Sequence, residues 1–117
     1  IDEEAFRDCT NLTKVILPDS IETIGRRAFD GCTNLTDIKI PYGVESIETS
    51  AFYGCENLTT VVIPDSVTHI GNYAFLNCKN LECIKINFEK LTSIGENIFP
   101  QQTKILPLSE EIKSDKK

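Results

Sequence analysis

The chain has 117 residues, 40% of them apolar, which is enough for one modest domain. Eighteen acidic against twelve basic residues give a net charge of −6, the wrong sign for screening a phosphate backbone or docking on anionic lipid, so no nucleic-acid partner is expected. No apolar run approaches the roughly 20 residues that a membrane helix needs, so no membrane insertion is expected in this segment.

The chain opens at Ile1 without Met or a basic, apolar leader, and any signal or anchor is therefore expected to lie outside it. Phe6 begins a series that recurs every 23 residues as Phe29, Phe52 and Phe75, each preceded by an alanine at Ala5, Ala28, Ala51 and Ala74. The same register aligns Cys9, Cys32, Cys55 and Cys78, then Leu12, Leu35, Leu58 and Leu81. Val15, Ile38, Val61 and Ile84 follow, then Leu17, Ile40, Ile63 and Ile86, and a proline closes three of these runs at Pro18, Pro41 and Pro64. Ile21, Val44 and Val67 come next, and Ile1, Ile24, Ile47 and Ile70 complete the repeat, so the chain begins in mid-repeat. A period of about 20–29 residues with L-x-x-L-x-L spacing marks a leucine-rich solenoid, in which each coil is one strand plus a return segment.

One coil shows the physics. In "NLTKVILP" Val15 and Leu17 alternate with Lys14 and Ile16, the period of two that a strand with one buried face requires. Pro18 lacks an amide donor and ends the ladder. "SIETIG" offers Ile21 and Ile24 to the core as a short second strand, with Gly25 and Gly71 suited to a tight or left-handed backbone. "RRAFDGC" then solvates Arg26 and Arg27, buries Ala28, Phe29 and Cys32, and reads as a single turn of helix or 3-10 helix. Coils stacked about 4.8 Å apart turn each apolar column into a continuous ladder. The pattern weakens near its end: one extra residue enters between Ile86 and Leu91, Asn87 fills the proline column, and after Phe99 the Cys and clear Leu columns are lost. The solenoid is assigned to residues 1–107, about four to five coils with the first truncated and the last degenerate. Residues 108–117 are left as a charged tail or linker.

The columns "C-x-N-L-T-x-[VI]-x-[LI]-P-x-x-[IV]-x-x-I-G-x-x-A-F-x-x-C" resemble the BspA-like, or Treponema pallidum type, leucine-rich repeats over residues 1–99. The resemblance implies a right-handed solenoid with a parallel sheet on its concave face. It further implies the setting of cell-surface or secreted proteins of host-associated bacteria and some parasitic protists, where such repeats are linked to adhesion.

Four of the five cysteines share one inward column. Parallel side chains about 4.8 Å apart suit neither a disulfide, whose Cβ atoms converge to about 3.5–4.5 Å, nor a single tetrahedral zinc, so buried free thiols acting as small hydrophobes are favoured and no metal or cofactor is expected. Cys83 falls in an outward column and is expected to be exposed on the sheet. Reduced thiols fit cytoplasm or an anaerobic exterior equally. His69 is the sole histidine, the nearest cysteines Cys55 and Cys78 belong to a buried column, and the carboxylates show no repeated inward pair, so no catalytic constellation is expected. The "NLT" sequons at Asn11, Asn34 and Asn57 read as turn residues copied by the repeat.

What remains is the outward face of the parallel sheet: Lys14 and Ile16, Asp37 and Lys39, Thr60 and Val62, Cys83 and Lys85. This mixed apolar and cationic strip is the candidate ligand-binding surface, with an acidic protein or glycoprotein as its expected partner. A non-catalytic adhesion module is the function this suggests. The alternative is a spacer without a ligand, tolerant of charge reversal on the sheet. Weak end-to-end self-association is also expected, because the Phe6, Leu12 and Leu17 columns are uncapped at the amino end.

Overall fold

The computed structural model describes residues 1–108. Its strands are β1 (Lys14–Val15), β2 (Thr23–Ile24), β3 (Asp37–Ile38), β4 (Ser46–Ile47), β5 (Thr60–Val62), β6 (His69–Ile70), β7 (Cys83–Ile86), β8 (Ser93–Ile94) and β9 (Lys104–Pro107). Every pairing is parallel, and the two ladders interleave along the chain. The even-numbered strands form one four-stranded ladder, β2-β4-β6-β8. The odd-numbered strands form the other, hydrogen-bonded in two pieces, β1-β3 and β5-β7-β9, with β3 and β5 in contact. Lys14 lies opposite Asp37, Thr60 opposite Cys83 and Ser46 opposite His69, so the register of the sequence repeat is the register of the sheets. The second strand expected at "SIETIG" is thus present in every coil.

Between the ladders lies a core built one column at a time. Ile24, Ile47 and Ile70 are fully buried, as are Leu35, Leu58 and Leu81 and the three alanines that precede Phe29, Phe52 and Phe75. The phenylalanine rings stack nearly parallel, with centroids 5.4 Å apart for Phe6 and Phe29, 5.3 Å for Phe29 and Phe52, and 5.1 Å for Phe52 and Phe75. Burying one such ring contributes about 1.5–3 kcal/mol, with a further gain from each stacked pair. At the amino end Phe6 stacks on Phe29 alone and stays 38% exposed.

The return segment differs from a helical turn, and the reason is backbone handedness. Arg27, Ser50 and Tyr73 share one column and Gly31, Gly54 and Asn77 another, and all six have positive φ. Two left-handed residues per coil break any run of helix. Instead the amides alternate: Ala28, Asp30 and Cys32 donate three residues back, to Gly25, Arg27 and Phe29, whereas Arg27, Phe29 and Gly31 donate to Thr49, Ala51 and Tyr53 of the next coil. Each segment is therefore at once a chain of tight turns and a layer stitched to its neighbour. Gly25 and Gly71 answer a different need from the left-handed backbone expected of them. A Cβ on Gly71 would stand 2.5 Å from the Thr49 nitrogen, and one on Gly25 would stand 2.6 Å from the Ile1 oxygen, so close backbone approach is what selects glycine there.

The irregular end is absorbed locally. The 3-10 helix Phe88–Lys90 sits where the extra residue enters, with the Asn87 side chain accepting from the Glu89 amide at 3.1 Å. Past it, His69 pairs with Ser93, one residue beyond the regular period, and Phe99 stacks on Phe75 at 6.0 Å with a 24° tilt. The sheet then continues through β9, which aligns Lys104 with Cys83 and Leu106 with Lys85. Thr103 takes the place of the missing leucine, its hydroxyl donating to the Leu81 carbonyl at 2.9 Å. Apart from Leu108, the tail expected at residues 108–117 lies outside the described residues.

Candidate binding surface

The outward side chains of the odd-numbered strands stand in two columns. One runs Lys14, Asp37, Thr60, Cys83 and Lys104, and the other runs Ile16, Lys39, Val62, Lys85 and Leu106. The second column alternates apolar and cationic residues through five coils. Ile16 is 85% exposed and Val62 44%, so the apolar members face solvent. Lys14 and Asp37 form an exposed ion pair at 4.0 Å, of the kind that contributes little. Among the described residues, Lys39, Lys85 and Lys104 pair with no carboxylate. The strip therefore holds a surplus of positive charge on an acidic protein. Two hollows flank it on the proline side, about 510 Å³ beside Ile16 and Lys39 at one end and about 590 Å³ beside Phe88 and Leu106 at the other.

The structure brings seven of the eight expected residues to this face in accessible form, and Cys83 is the exception. It was expected to be exposed, yet it is only 8% exposed. The Thr60 hydroxyl lies 3.7 Å from its sulfur on one side, and Lys104 of β9 is its register partner on the other. A last strand that the repeat pattern did not reveal covers it. The same strand adds Lys104 and Leu106 to the face, and "TKILP" at 103–107 was their only sequence signal.

All five cysteines are unbridged. Three of the inward four are more than small hydrophobes, because the thiols of Cys32, Cys55 and Cys78 donate to the carbonyls of Phe6, Phe29 and Phe52 at 3.1, 3.2 and 3.2 Å. Burial pushes the Cys32 thiol up to about 11 and the Cys78 thiol up to about 12, and lifts Cys55 further still. Such thiols are protonated donors, not nucleophiles.

His69 is half-buried, with Nδ1 2.9 Å from the Ser93 hydroxyl and Nε2 3.7 Å from a Glu48 oxygen. A hydroxyl partner on the next coil is a feature that weighing only cysteines overlooked. The three side chains lie in three successive coils, Glu48 just past β4, His69 on β6 and Ser93 on β8, and line none of the four hollows, so a ladder of polar neighbours accounts for them. Two of the three sequon asparagines join neighbouring coils: Asn34 donates to the Thr10 carbonyl at 2.7 Å, and Asn57 donates to the Asn34 side chain at 3.3 Å. Among the described residues no cluster of three or more metal-ligating side chains occurs, and no helix is long and apolar enough to cross a membrane.

Known proteins agree with this architecture. The family model of the BspA type leucine rich repeat region matches residues 1–113 in 6 copies. A leucine-rich repeat protein from Bacteroides ovatus superposes with a TM-score of 0.77 at 34% identity, over 89% of this chain and 27% of that one. A leucine rich cell surface protein from Faecalibacterium prausnitzii superposes with a TM-score of 0.70 at 23% identity, over 92% of this chain and 44% of its own. The leucine rich repeat protein of T. pallidum gives 0.57 at 28% identity, over 90% of this chain and 65% of its own. No curated protein matches the chain. The chain thus spans less than two thirds of each of these solved relatives. With a repeat model matched along nearly its whole length and coils that stack in the register of that repeat, this chain belongs to the BspA-type leucine-rich repeat family.

Proposed function

We propose that this solenoid is a non-catalytic binding module of a cell-surface or secreted protein, and that it takes acidic protein or glycoprotein partners on the concave sheet. The observation that carries this reading is the column Ile16, Lys39, Val62, Lys85, Leu106, in which the lysines lack carboxylate partners among the described residues. Unpaired cations between exposed aliphatic side chains keep their charge available for a partner and offer apolar area beside it. The similarity to a leucine rich cell surface protein supports the location.

The test is binding to immobilised matrix glycoproteins, beside the Lys39→Glu, Lys85→Glu double variant. Reversing two charges in one column should abolish capture at low salt and leave the thermal midpoint nearly unchanged, since both side chains reach solvent. Equal capture of both proteins would remove the concave sheet as the interface. No capture of either would favour a spacer.

A further inference from the structure

A third hollow, of about 320 Å³, opens in the return segments, away from the concave sheet. Two neighbouring columns build it. In one, Arg27, Ser50 and Tyr73 follow each other in successive coils, and in the other Asp30, Tyr53 and Leu76 do the same. Ser50 is the small member between two large ones, so the hollow is a notch with Arg27 and Tyr73 as its walls. Those walls stand two coils apart, roughly 9.6 Å by the spacing of parallel strands. A ring in van der Waals contact with both walls needs roughly 7–8 Å.

The polar groups in the notch are arranged for hydroxyls. Asp30 lies 3.7 Å from Arg7 and 4.0 Å from Arg27, both arginines also reach Glu4, and Asp8 stands near enough to act on Asp30, so carboxylates already offset the two arginines and the cluster does not call for an anion. Burial raises the Asp30 carboxyl above its usual range despite the two arginines, which marks it as poorly hydrated. Ser50 is only 8% exposed and its hydroxyl bonds to nothing among the described residues. Among the described residues the one sealed side-chain atom without a partner lies elsewhere, on Asp65, so the Ser50 hydroxyl keeps access to the notch. A hydroxyl that is almost enclosed yet still reaches the notch is free to exchange hydrogen bonds with whatever enters it. The Tyr53 hydroxyl accepts from the Asn77 side chain at 2.9 Å, which holds its ring as a fixed wall, and Tyr73 stays 39% exposed.

We propose that this notch binds a single pyranose ring of a neutral glycan. One face of the sugar lies on the Tyr73 ring, and its hydroxyls donate to Asp30 and exchange hydrogen bonds with Ser50 and the arginine guanidiniums. An aromatic peptide side chain would fill the same gap but would bring no polar groups to meet the Ser50 hydroxyl, the Asp30 carboxylate and the guanidiniums, which is why the hydroxylated ring is favoured. The notch is independent of the concave sheet, so this site stands or falls separately from the function proposed above.

The test is a titration of the folded protein with methyl glucoside, methyl galactoside, methyl mannoside and methyl N-acetylglucosaminide, followed by amide NMR. The expected result is a shift of the Ser50, Tyr53 and Tyr73 amides by one or more glycosides, saturating at about 1–10 mM as suits a single ring. Tyr73→Asn should weaken it roughly tenfold, a loss of about one stacking contact. Asparagine keeps the left-handed backbone there, as Asn97 already does in the same column. Arg27→Lys, which keeps the charge but loses the planar fork, should also weaken it, whereas Lys39→Glu with Lys85→Glu should leave it unchanged. No shift of these amides at about 50 mM glycoside, shifts indifferent to Tyr73→Asn, or saturation by N-acetyl-tyrosinamide instead of a glycoside would each overturn the proposal.

Discussion

The thiol of Cys55 donates to the backbone carbonyl of Phe29 at 3.2 Å, and that carbonyl also accepts the Cys32 amide at 3.1 Å. One oxygen therefore closes a turn within its own coil and binds the next coil through sulfur. The cysteine column and the phenylalanine column work as one hydrogen-bonded assembly, in which the rings supply buried area and the thiols tie successive coils together.

This arrangement makes stability depend on alkaline pH. An unfolded thiol loses its proton near its ordinary value of about 8.5, whereas burial holds the Cys32 thiol protonated to about 11 and the Cys78 thiol to about 12. A raised folded-state value stabilises the fold fully below the unfolded value, and that stability is lost as the pH rises towards the folded one. Each thiol should contribute a slope of roughly 1.4 kcal/mol per pH unit in that window. Urea unfolding between pH 7.5 and 10.5 measures this slope, and Cys55→Ala should make it shallower. A flat profile would mean that the thiols are hydrated in the native state. In the same pH range iodoacetamide should label the half-buried Cys9 first, with Cys32, Cys55 and Cys78 modified only as the chain unfolds.

Position along the ring stack sets the cost of losing a ring. Phe52 is fully buried between Phe29 and Phe75, and Phe52→Ala should cost about 3–5 kcal/mol. Phe6, stacked on one side only and 38% exposed, should cost about 1–2 kcal/mol when replaced by alanine. Chemical denaturation of the two variants measures the difference, and equal losses would contradict the stack as the main axis of the core.

Gly71→Ala tests the close approach of coils. Its new Cβ would meet backbone atoms of Glu48 and Thr49 at 2.5–2.9 Å, where no side chain can swing aside. A loss of about 2–3 kcal/mol is expected. Hydrogen exchange should show lost protection at the Gly71 amide, which donates to the Ile47 carbonyl at 2.8 Å. An unchanged melting midpoint would show that the coils can separate there without cost.

The repeat, the two strands of each coil, the inward columns and the seven accessible residues of the concave strip were all legible in the sequence. Stacking identical coils in register makes burial a local property of the repeat, so a period of 23 residues and an alternation of two contain that information. The helical turn expected at "RRAFDGC" was not there to find. Apolar spacing does not report handedness, and left-handed residues such as Arg27 and Tyr73 carry no marker that sets them apart from ordinary side chains. The burial of Cys83 and the arrival of Lys104 and Leu106 beside it depended on β9, whose register departs from the repeat and is set by how the last chain segment packs on β7. The notch at Ser50 belongs to tertiary structure as well, because it exists only where the walls from coils before and after it meet across a small side chain. Local pattern determined which residues face inward; contact between coils decided what lies open on the surface.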